Sequence, residues 1–204
     1  MSGGAGPSRW SASLIALHWL AGALILELLA HGFIMVHAGL SAAAAFDLYQ
    51  SHKSIGFAVL ALTVLRLVLR LVRKAPEPLG RPWERQLARM AQTALYALTL
   101  GAICSGWLVV STSPLPIPTR FFGLFIIPDI ARPNLALFAA ATFAHGIAAW
   151  SIAALVALHL AGALKHHLVD RDDALTRMLP SRARSPLGEG RAERRMRTGQ
   201  VKGR

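Results

Sequence analysis

The stretch HGIAAWSIAALVALH, from His145 to His159, lies in the last long apolar segment and decides the architecture. Its two histidines are fourteen residues apart, which corresponds to about 1400° of helical rotation, roughly 40° short of four turns. Both imidazoles therefore lie on nearly the same helix face, about 21 Å apart along the axis. An imidazole inside a membrane is costly without a partner, so these residues are candidates for function.

Four apolar segments are long enough to cross a bilayer, since a helical span needs about 20 mostly apolar residues. They are Leu14–Met35, His52–Val72, Met90–Val110 and Leu137–Leu164. Of the 204 residues, 54% are hydrophobic, which exceeds the usage of an ordinary soluble domain. The strict alternation of a membrane-barrel strand is absent from the sequence. We therefore predict an all-α transmembrane four-helix bundle over residues 13–180, preceded by an N-terminal tail at 1–12.

The basic residues predict the orientation of the bundle. The loop between the second and third spans carries five of them, whereas the loop between the first two spans, residues 36–51, has no Lys or Arg. By the positive-inside rule, both termini are predicted to be cytoplasmic. An alternative is that the first apolar run is a cleaved signal peptide. That run is too long for a typical signal peptide and contains His18 and Glu27, so we favour a retained span.

The end of the chain, residues 181–204, is strongly basic. It holds eight Lys or Arg and two Glu, a net charge of +6 out of +12 for the whole chain. Such a polar segment is predicted to be disordered. Adhesion to anionic lipid at the cytoplasmic face is the simpler account of its charge, and we predict no nucleic-acid partner.

Two further histidines, His18 and His52, stand in the first and second spans. In the predicted orientation, His18 and His159 lie near the cytoplasmic side, whereas His52 and His145 lie near the outer side. Four imidazoles at two levels suit two haem groups, each with one axial imidazole from either of two helices. Such iron has no open position and transfers electrons rather than binding oxygen. The alternative is that the histidines are hydrogen-bonded polar contacts between helices.

Other metal chemistry is less compatible with the sequence. The two levels lie too far apart for one zinc or copper ion. The single cysteine, Cys104, cannot form an intrachain disulfide, and the sequence contains no CxxCH motif for covalent haem attachment. We predict that Cys104 is a small packing residue and that any haem is held by ligation and packing alone.

Two arginines in the second span are candidate cofactor ligands. Arg66 follows His52 by fourteen residues and Arg70 comes one turn later, so both lie near the inner level of the same helix. Arginine matches a carboxylate in a bidentate manner, and we predict that Arg66 and Arg70 bind haem propionates. The alternative is that both are interface anchors whose charged heads reach water.

The remaining histidines lie near the ends of spans. His31 and His37 are predicted at the outer end of the first span, and His166 and His167 just past the fourth. We expect all four to be solvated, with substrate or proton handling by His31 or His37 left open.

Together these residues resemble the prokaryotic cytochrome b561 family over residues 9–180. The matching pieces are His18–Trp19, His52 with Gly56, the run VLRLVLRL at Val64–Leu71, the His145/His159 pair, and RMLP at Arg177–Pro180. The resemblance implies a bundle of the bacterial inner membrane with two haem b groups, bound by the pairs His18/His159 and His52/His145. It also implies electron transfer linked to the quinone pool. Some members oxidise superoxide at the outer face and pass the electron to ubiquinone.

From the residues and the resemblance we predict a di-haem cytochrome that transfers electrons one at a time between a donor and the quinone pool. Superoxide oxidation coupled to ubiquinone reduction is the specific activity we consider first. A second hypothesis is a non-catalytic cytochrome b subunit that docks to a periplasmic redox partner. A third is a structural membrane bundle without haem.

Overall fold

The computed structural model describes residues 9–77, 79–115 and 117–180, and within them four long helices dominate. They are α1 (Ala12–His37), α2 (Ala42–Val72), α3 (Pro82–Thr112) and α4 (Leu135–Lys165). A π-helical turn, His166–Asp170, continues α4, and a 3₁₀ turn follows at Thr176–Met178. All four helices are long and apolar enough to cross a membrane. The predicted all-α bundle with four spans is therefore confirmed.

Local sequence signals explain where the helices begin. The Ser41 hydroxyl accepts a hydrogen bond from the Ala44 N–H at 3.3 Å, and the Asn134 side chain accepts one from the Leu137 N–H at 2.9 Å. Both residues cap the first turn of the following helix. At α3, Pro82 occupies the first turn and the Glu84 carboxylate accepts a hydrogen bond from the Arg81 N–H at 2.7 Å. These caps satisfy backbone groups that no preceding turn can pair.

A short β-hairpin, which the sequence did not predict, lies between α3 and α4. Its strands β1 (Thr119–Phe121) and β2 (Phe125–Ile127) are antiparallel, with Phe121 opposite Phe125. The turn between them has positive φ at Phe122 (47°) and Gly123 (77°). Two successive positive φ values are typical of the tight turns that match the twist of a hairpin.

The helices form two hairpins, because α1 packs along α2 and α3 packs along α4. The α2 and α3 backbones approach each other less extensively. The buried hydrophobic residues are few: Leu14, Ile15, Ala21, Ile55, Val59, Ala141, Ala148 and Ile152. Many large apolar side chains are exposed instead, as expected for a surface that faces lipid tails.

The bundle has two ends, a terminal side and a loop side. The terminal side contains Arg9, the start of α1 and the segment Thr176–Leu179, which are in contact. The loop side contains the β-hairpin. The predictions made for residues 1–8 and for the basic tail at 181–204 lie outside the described residues. Which side faces the cytoplasm stays a prediction, as does the division of the chain at residues 12 and 180.

Candidate cofactor-binding site

Two histidine pairs span the space between the first helical hairpin and α4. On the terminal side, His18 of α1 faces His159 of α4, with ring centroids 6.0 Å apart and ring planes at 77°. On the loop side, His52 of α2 faces His145 of α4, with centroids 6.1 Å apart and the same interplanar angle. The structure thus brings together the two pairs that helix rise and charge asymmetry predicted. All four imidazoles are partly buried.

The separation within each pair suits coordination of one metal ion by both rings. A bond from an imidazole nitrogen to a metal is about 2.0–2.1 Å long, and the ring centre lies roughly 1.1 Å further away. Two imidazoles on opposite sides of one ion would therefore have centroids about 6.3 Å apart. The observed separations of 6.0 and 6.1 Å are close to this value. The residues present therefore fit a six-coordinate haem at each level.

Hydrogen bonding defines the tautomer of His145. Its Nδ1 lies 2.8 Å from the carbonyl oxygen of Ala102 in α3. A carbonyl can only accept, so Nδ1 must carry the proton and Nε2 keeps a free lone pair. An imidazole that coordinates a metal is commonly oriented by such a bond from its other nitrogen. His145 is therefore held in the form that a metal ligand requires.

The glycine at position 106 makes room for the His145 ring. A Cβ placed on Gly106 would lie 3.0 Å from Cε1 and 3.2 Å from Nδ1 of His145. Sequence reasoning noticed glycines beside the histidines on their own helices, but it missed Gly106 and Ala102, which lie on α3. The glycine spacing in α3 gave no signal either, because Gly101 and Gly106 are five residues apart, whereas the helix-packing motif GxxxG has its glycines four residues apart.

At the loop-side level, two ring nitrogens have no protein partner. Nδ1 of His52 and Nδ1 of His31 are both buried without a hydrogen bond among the described residues. The two rings are tilted, with centroids 6.4 Å apart, and Nε2 of His31 lies 3.8 Å from Glu27 Oε1. The expectation that His31 is solvated was wrong, since its side chain is only 18% exposed. Burial beside His52 occurs because α1 packs along α2.

The two candidate arginines have different surroundings. Arg70 donates a hydrogen bond to Gln92 Oε1 at 2.7 Å, and its Cζ lies 5.7 Å from the centre of the Trp10 ring. Arg66 stacks on Tyr96, with Cζ 5.4 Å from the ring centre. Within the described ranges, neither guanidinium has a carboxylate at ion-pair distance, and Arg66 makes no hydrogen bond. Arg66 is therefore available to an anionic group, whereas Arg70 already has a protein acceptor.

Tyr96 is a site residue that sequence reasoning missed. Its hydroxyl is buried without a hydrogen-bond partner in the described part of the chain. A buried phenol normally finds a partner, so the hydroxyl is available to the group that Arg66 would bind. The signal for it was weak, because a tyrosine in a span is also common as a packing residue.

The terminal-side pair is covered by the end of the described chain. Trp19 packs edge-to-face with His18 at 5.6 Å, and its Nε1 donates to the Met178 carbonyl at 2.6 Å. Arg9 donates to the carbonyls of Thr176 and Leu179 at 2.9 and 2.6 Å. The RMLP segment of the family resemblance therefore lies against the start of α1. These hydrogen bonds hold the segment after α4 beside Trp19, the neighbour of His18.

The other residues considered from the sequence lie away from the pairs. His37 bonds to the Phe33 carbonyl of its own helix at 2.9 Å and is exposed, as expected. His166 is partly buried, with Nδ1 2.7 Å from Asp172 Oδ2 and 3.1 Å from Asp170 Oδ2. Lys165 also contacts Asp170, at 2.8 Å. Cys104 is exposed on α3, which does not support the prediction that it is a small packing residue.

Comparison with known proteins agrees with this geometry. The family model described as "Prokaryotic cytochrome b561" matches residues 9–181. Cytochrome b561 homolog 2 of Escherichia coli (strain K12) is 33% identical over 175 residues, which cover 85% of this chain and 92% of the relative. The matched range spans the positions of the four paired histidines, both candidate arginines and the RMLP segment. The resemblance inferred from the sequence is confirmed.

Proposed function

Because the chain belongs to the prokaryotic cytochrome b561 family, we propose that it is a di-haem cytochrome transferring electrons one at a time between a donor and the quinone pool. Family membership makes the chain a haem b-binding bacterial membrane protein of electron transfer. This argues against the structural bundle without haem. The observation that carries the proposal is the repetition of one imidazole-pair geometry at two levels.

The proposed ligands are His18 and His159 for the haem on the terminal side, and His52 and His145 for the haem on the loop side. Their separations support this assignment, as does the tautomer of His145. When bound, each haem supplies a one-electron couple of its iron. With both imidazoles of a pair bound, the iron would keep no position for oxygen, so these residues would favour electron transfer over oxygen binding.

The chain's own residues would hold and insulate these groups. Arg66 would bind a propionate, supported by Tyr96, and its positive charge would offset the carboxylate charge in a partly apolar site. Arg70 would contribute less, because Gln92 occupies part of its guanidinium. The bond from Nδ1 of His145 to the Ala102 carbonyl would keep Nε2 free to bind iron.

The predicted orientation places the terminal side in the cytoplasm and the chain in the bacterial inner membrane. Superoxide oxidation is the specific activity we propose first. Each superoxide would give up one electron and become O₂, and two such electrons with two protons would reduce ubiquinone to ubiquinol. Lys53, Arg120 and Arg132 are the basic residues on the loop side that could attract the anion. The alternative donor is a periplasmic redox protein.

Haem quantification of the purified chain in detergent tests the proposal. We expect two b haems per chain, with the reduced-minus-oxidised spectrum of low-spin iron. His52→Ala should remove one haem and His18→Ala the other, whereas the exposed His37→Ala is the matched control and should retain both. One haem, or loss of the same haem in both variants, would contradict the pairing.

Turnover separates the two donor hypotheses. The chain in proteoliposomes with ubiquinone is exposed to a steady source of superoxide, and ubiquinol formation is measured. Superoxide oxidation is supported if the chain forms ubiquinol faster than the His52→Ala variant does under the same conditions. No turnover, together with stable co-purification of a reducible periplasmic protein, would favour the subunit hypothesis instead.

A further inference from the structure

The β-hairpin, residues Thr119–Ile127, presents apolar side chains to its surroundings. Phe122 is 55% exposed, Leu124 78%, Phe125 57% and Ile126 60%. Residues 121–127 contain no charged side chain. A dense exposed apolar surface of this kind marks contact with another apolar phase or with a protein.

Hydrogen bonds hold this segment against α2 and α3. On α2, the Gln50 side chain donates to the Pro118 carbonyl at 3.0 Å. The nearly fully buried Ser54 hydroxyl lies 3.0 Å from the Arg120 carbonyl and accepts the Phe122 N–H at 3.0 Å. On α3, Trp107 Nε1 donates to the Pro128 carbonyl at 3.0 Å. The hairpin therefore has a defined height along both helices.

That height coincides with a membrane boundary. The hydrocarbon core corresponds to about 20 helical residues. Counting about that number from Arg70 along α2 reaches Gln50, and counting from Arg89 along α3 reaches Val109. Both positions lie within one or two turns of the hydrogen bonds that hold the hairpin. Segments that lie in the interface bury Trp, Phe and Leu side chains at this depth, where the acyl chains meet the head groups.

The turn conformation adds an independent argument. Phe122 has a φ of 47°, a region that is uncommon for bulky residues and is favoured by Gly and Asn. A phenylalanine there accepts backbone strain and leaves more than half of its side chain exposed. In water such a side chain gains nothing, whereas burial in acyl chains would stabilise it. Arg120 is also exposed at the base of the hairpin.

We propose that the β-hairpin is a membrane-interface anchor: Phe122, Leu124 and Ile126 insert into the boundary between phospholipid acyl chains and head groups, and Arg120 contacts the phosphates. Hydrogen bonds to α2 and α3 hold the apolar hairpin at the height where these helices leave the hydrocarbon core, so the bilayer is the occupant that the position favours. The inference depends on the helices crossing the membrane and not on the identity of the electron donor or on haem ligation. Failure of either proposal therefore leaves the other standing.

Site-specific fluorescence in proteoliposomes tests the anchor. Cys104 is the single cysteine, so Cys104→Ala provides a cysteine-free background. An environment-sensitive fluorophore is attached at Leu124→Cys, with Ile126→Cys as a second reporter on the same hairpin. Ala43→Cys, beyond the end of the span in α2, is the aqueous control, and Ala154→Cys, in the middle of α4, is the deep control. An unchanged far-ultraviolet circular dichroism spectrum and thermal midpoint verify that each variant is folded.

Quenching by aqueous iodide is compared with quenching by lipids carrying a nitroxide near the head group or near the chain end. We expect both hairpin reporters to be quenched most by the head-group-proximal nitroxide, with iodide quenching roughly threefold weaker than at Ala43→Cys. Iodide quenching equal to that control, without lipid quenching, would overturn the anchor in favour of a soluble partner. Protection of the labelled variants from both quenchers, with disulfide-linked dimers on oxidation of the same variants before labelling, would overturn it in favour of a second copy of the chain.

Discussion

Replacing Gly106 by alanine should disturb the loop-side histidine pair while leaving the terminal-side pair intact. The new Cβ would lie 3.0 Å from Cε1 of His145, whereas carbon atoms pack best at about 3.5–4.0 Å. The His145 ring must therefore move by about 0.5 Å. Its hydrogen bond to the Ala102 carbonyl, now 2.8 Å, would reach the limit of a good bond, about 3.2 Å.

The matched control is Gly101→Ala on the same helix, where no atom outside the local backbone lies within 4 Å of the added Cβ. Replacing a helical glycine by alanine stabilises by about 1 kcal/mol. At Gly106 this gain is opposed by overpacking, which costs about 1–3 kcal/mol. The two variants should therefore differ by roughly 1–3 kcal/mol, with Gly106→Ala the less stable.

Thermal unfolding followed by loss of the haem absorption band measures this difference. For a chain of this size, 1 kcal/mol corresponds to about 2–4 °C, so the midpoints should differ by roughly 2–12 °C. A potentiometric titration should show a shift in one of the two haem midpoints in Gly106→Ala and in neither for Gly101→Ala. Equal behaviour of the two variants would refute the reasoning that Gly106 makes room for the His145 ring.

Three further predictions concern other parts of the structure. Arg66→Gln should lower the midpoint potential of the terminal-side haem by tens of millivolts, because about 1 kcal/mol of lost stabilisation of the reduced state corresponds to roughly 40 mV. A redox titration should show a smaller shift for Arg70→Gln, whose guanidinium already bonds to Gln92. Equal shifts would contradict the different roles proposed for Arg66 and Arg70. Ser54→Ala leaves the Phe122 N–H without its acceptor, a loss worth about 1–3 kcal/mol. Amide hydrogen exchange of residues 119–127 should therefore become faster. In the control Ser51→Ala, whose hydroxyl bonds to the Leu48 carbonyl within α2, the exchange rate of these residues should stay unchanged. Trp19→Phe removes the hydrogen bond to the Met178 carbonyl and should lower the free energy of unfolding by about 0.5–1.5 kcal/mol. Thermal unfolding measures this loss, with replacement of the exposed Trp150 by Phe as the control. Equal unfolding midpoints of the two variants would argue against a stabilising role for the Trp19 contact.

Much of the bundle was predictable because a bilayer restricts the choices that a chain has. A long apolar segment must form a helix to pair its own backbone groups, so the four spans follow from composition and length. The histidine pairing followed from helix rise and alternating span direction, which place His18 with His159 and His52 with His145 by depth. No comparable constraint acted on residues 113–134, where the β-hairpin depends on bonds to Ser54 and Trp107 that are distant in sequence.

The candidate site was predictable in its main residues and not in their supports. Periodicity along one helix identifies which side chains share a face, and this was enough for the histidines and for Arg66. It carries no information about a neighbouring helix, so Gly106, Ala102 and Tyr96 could not be assigned from spacing. The burial of His31 beside His52 was missed for the same reason.

The sequence by itself determined the number of spans, their helical form, the depth of each histidine and the expected orientation, because these depend on hydropathy, charge and a constant rise per residue. Only the tertiary structure decided that Arg70 bonds to Gln92 while Arg66 makes no hydrogen bond to the described residues. It also decided that Nδ1 of His145 must carry its proton, and that the loop after α3 forms a hairpin against α2. Each of these depends on contacts between atoms of different helices. Those contacts are set by how side-chain shapes pack, which no pattern along a single helix records.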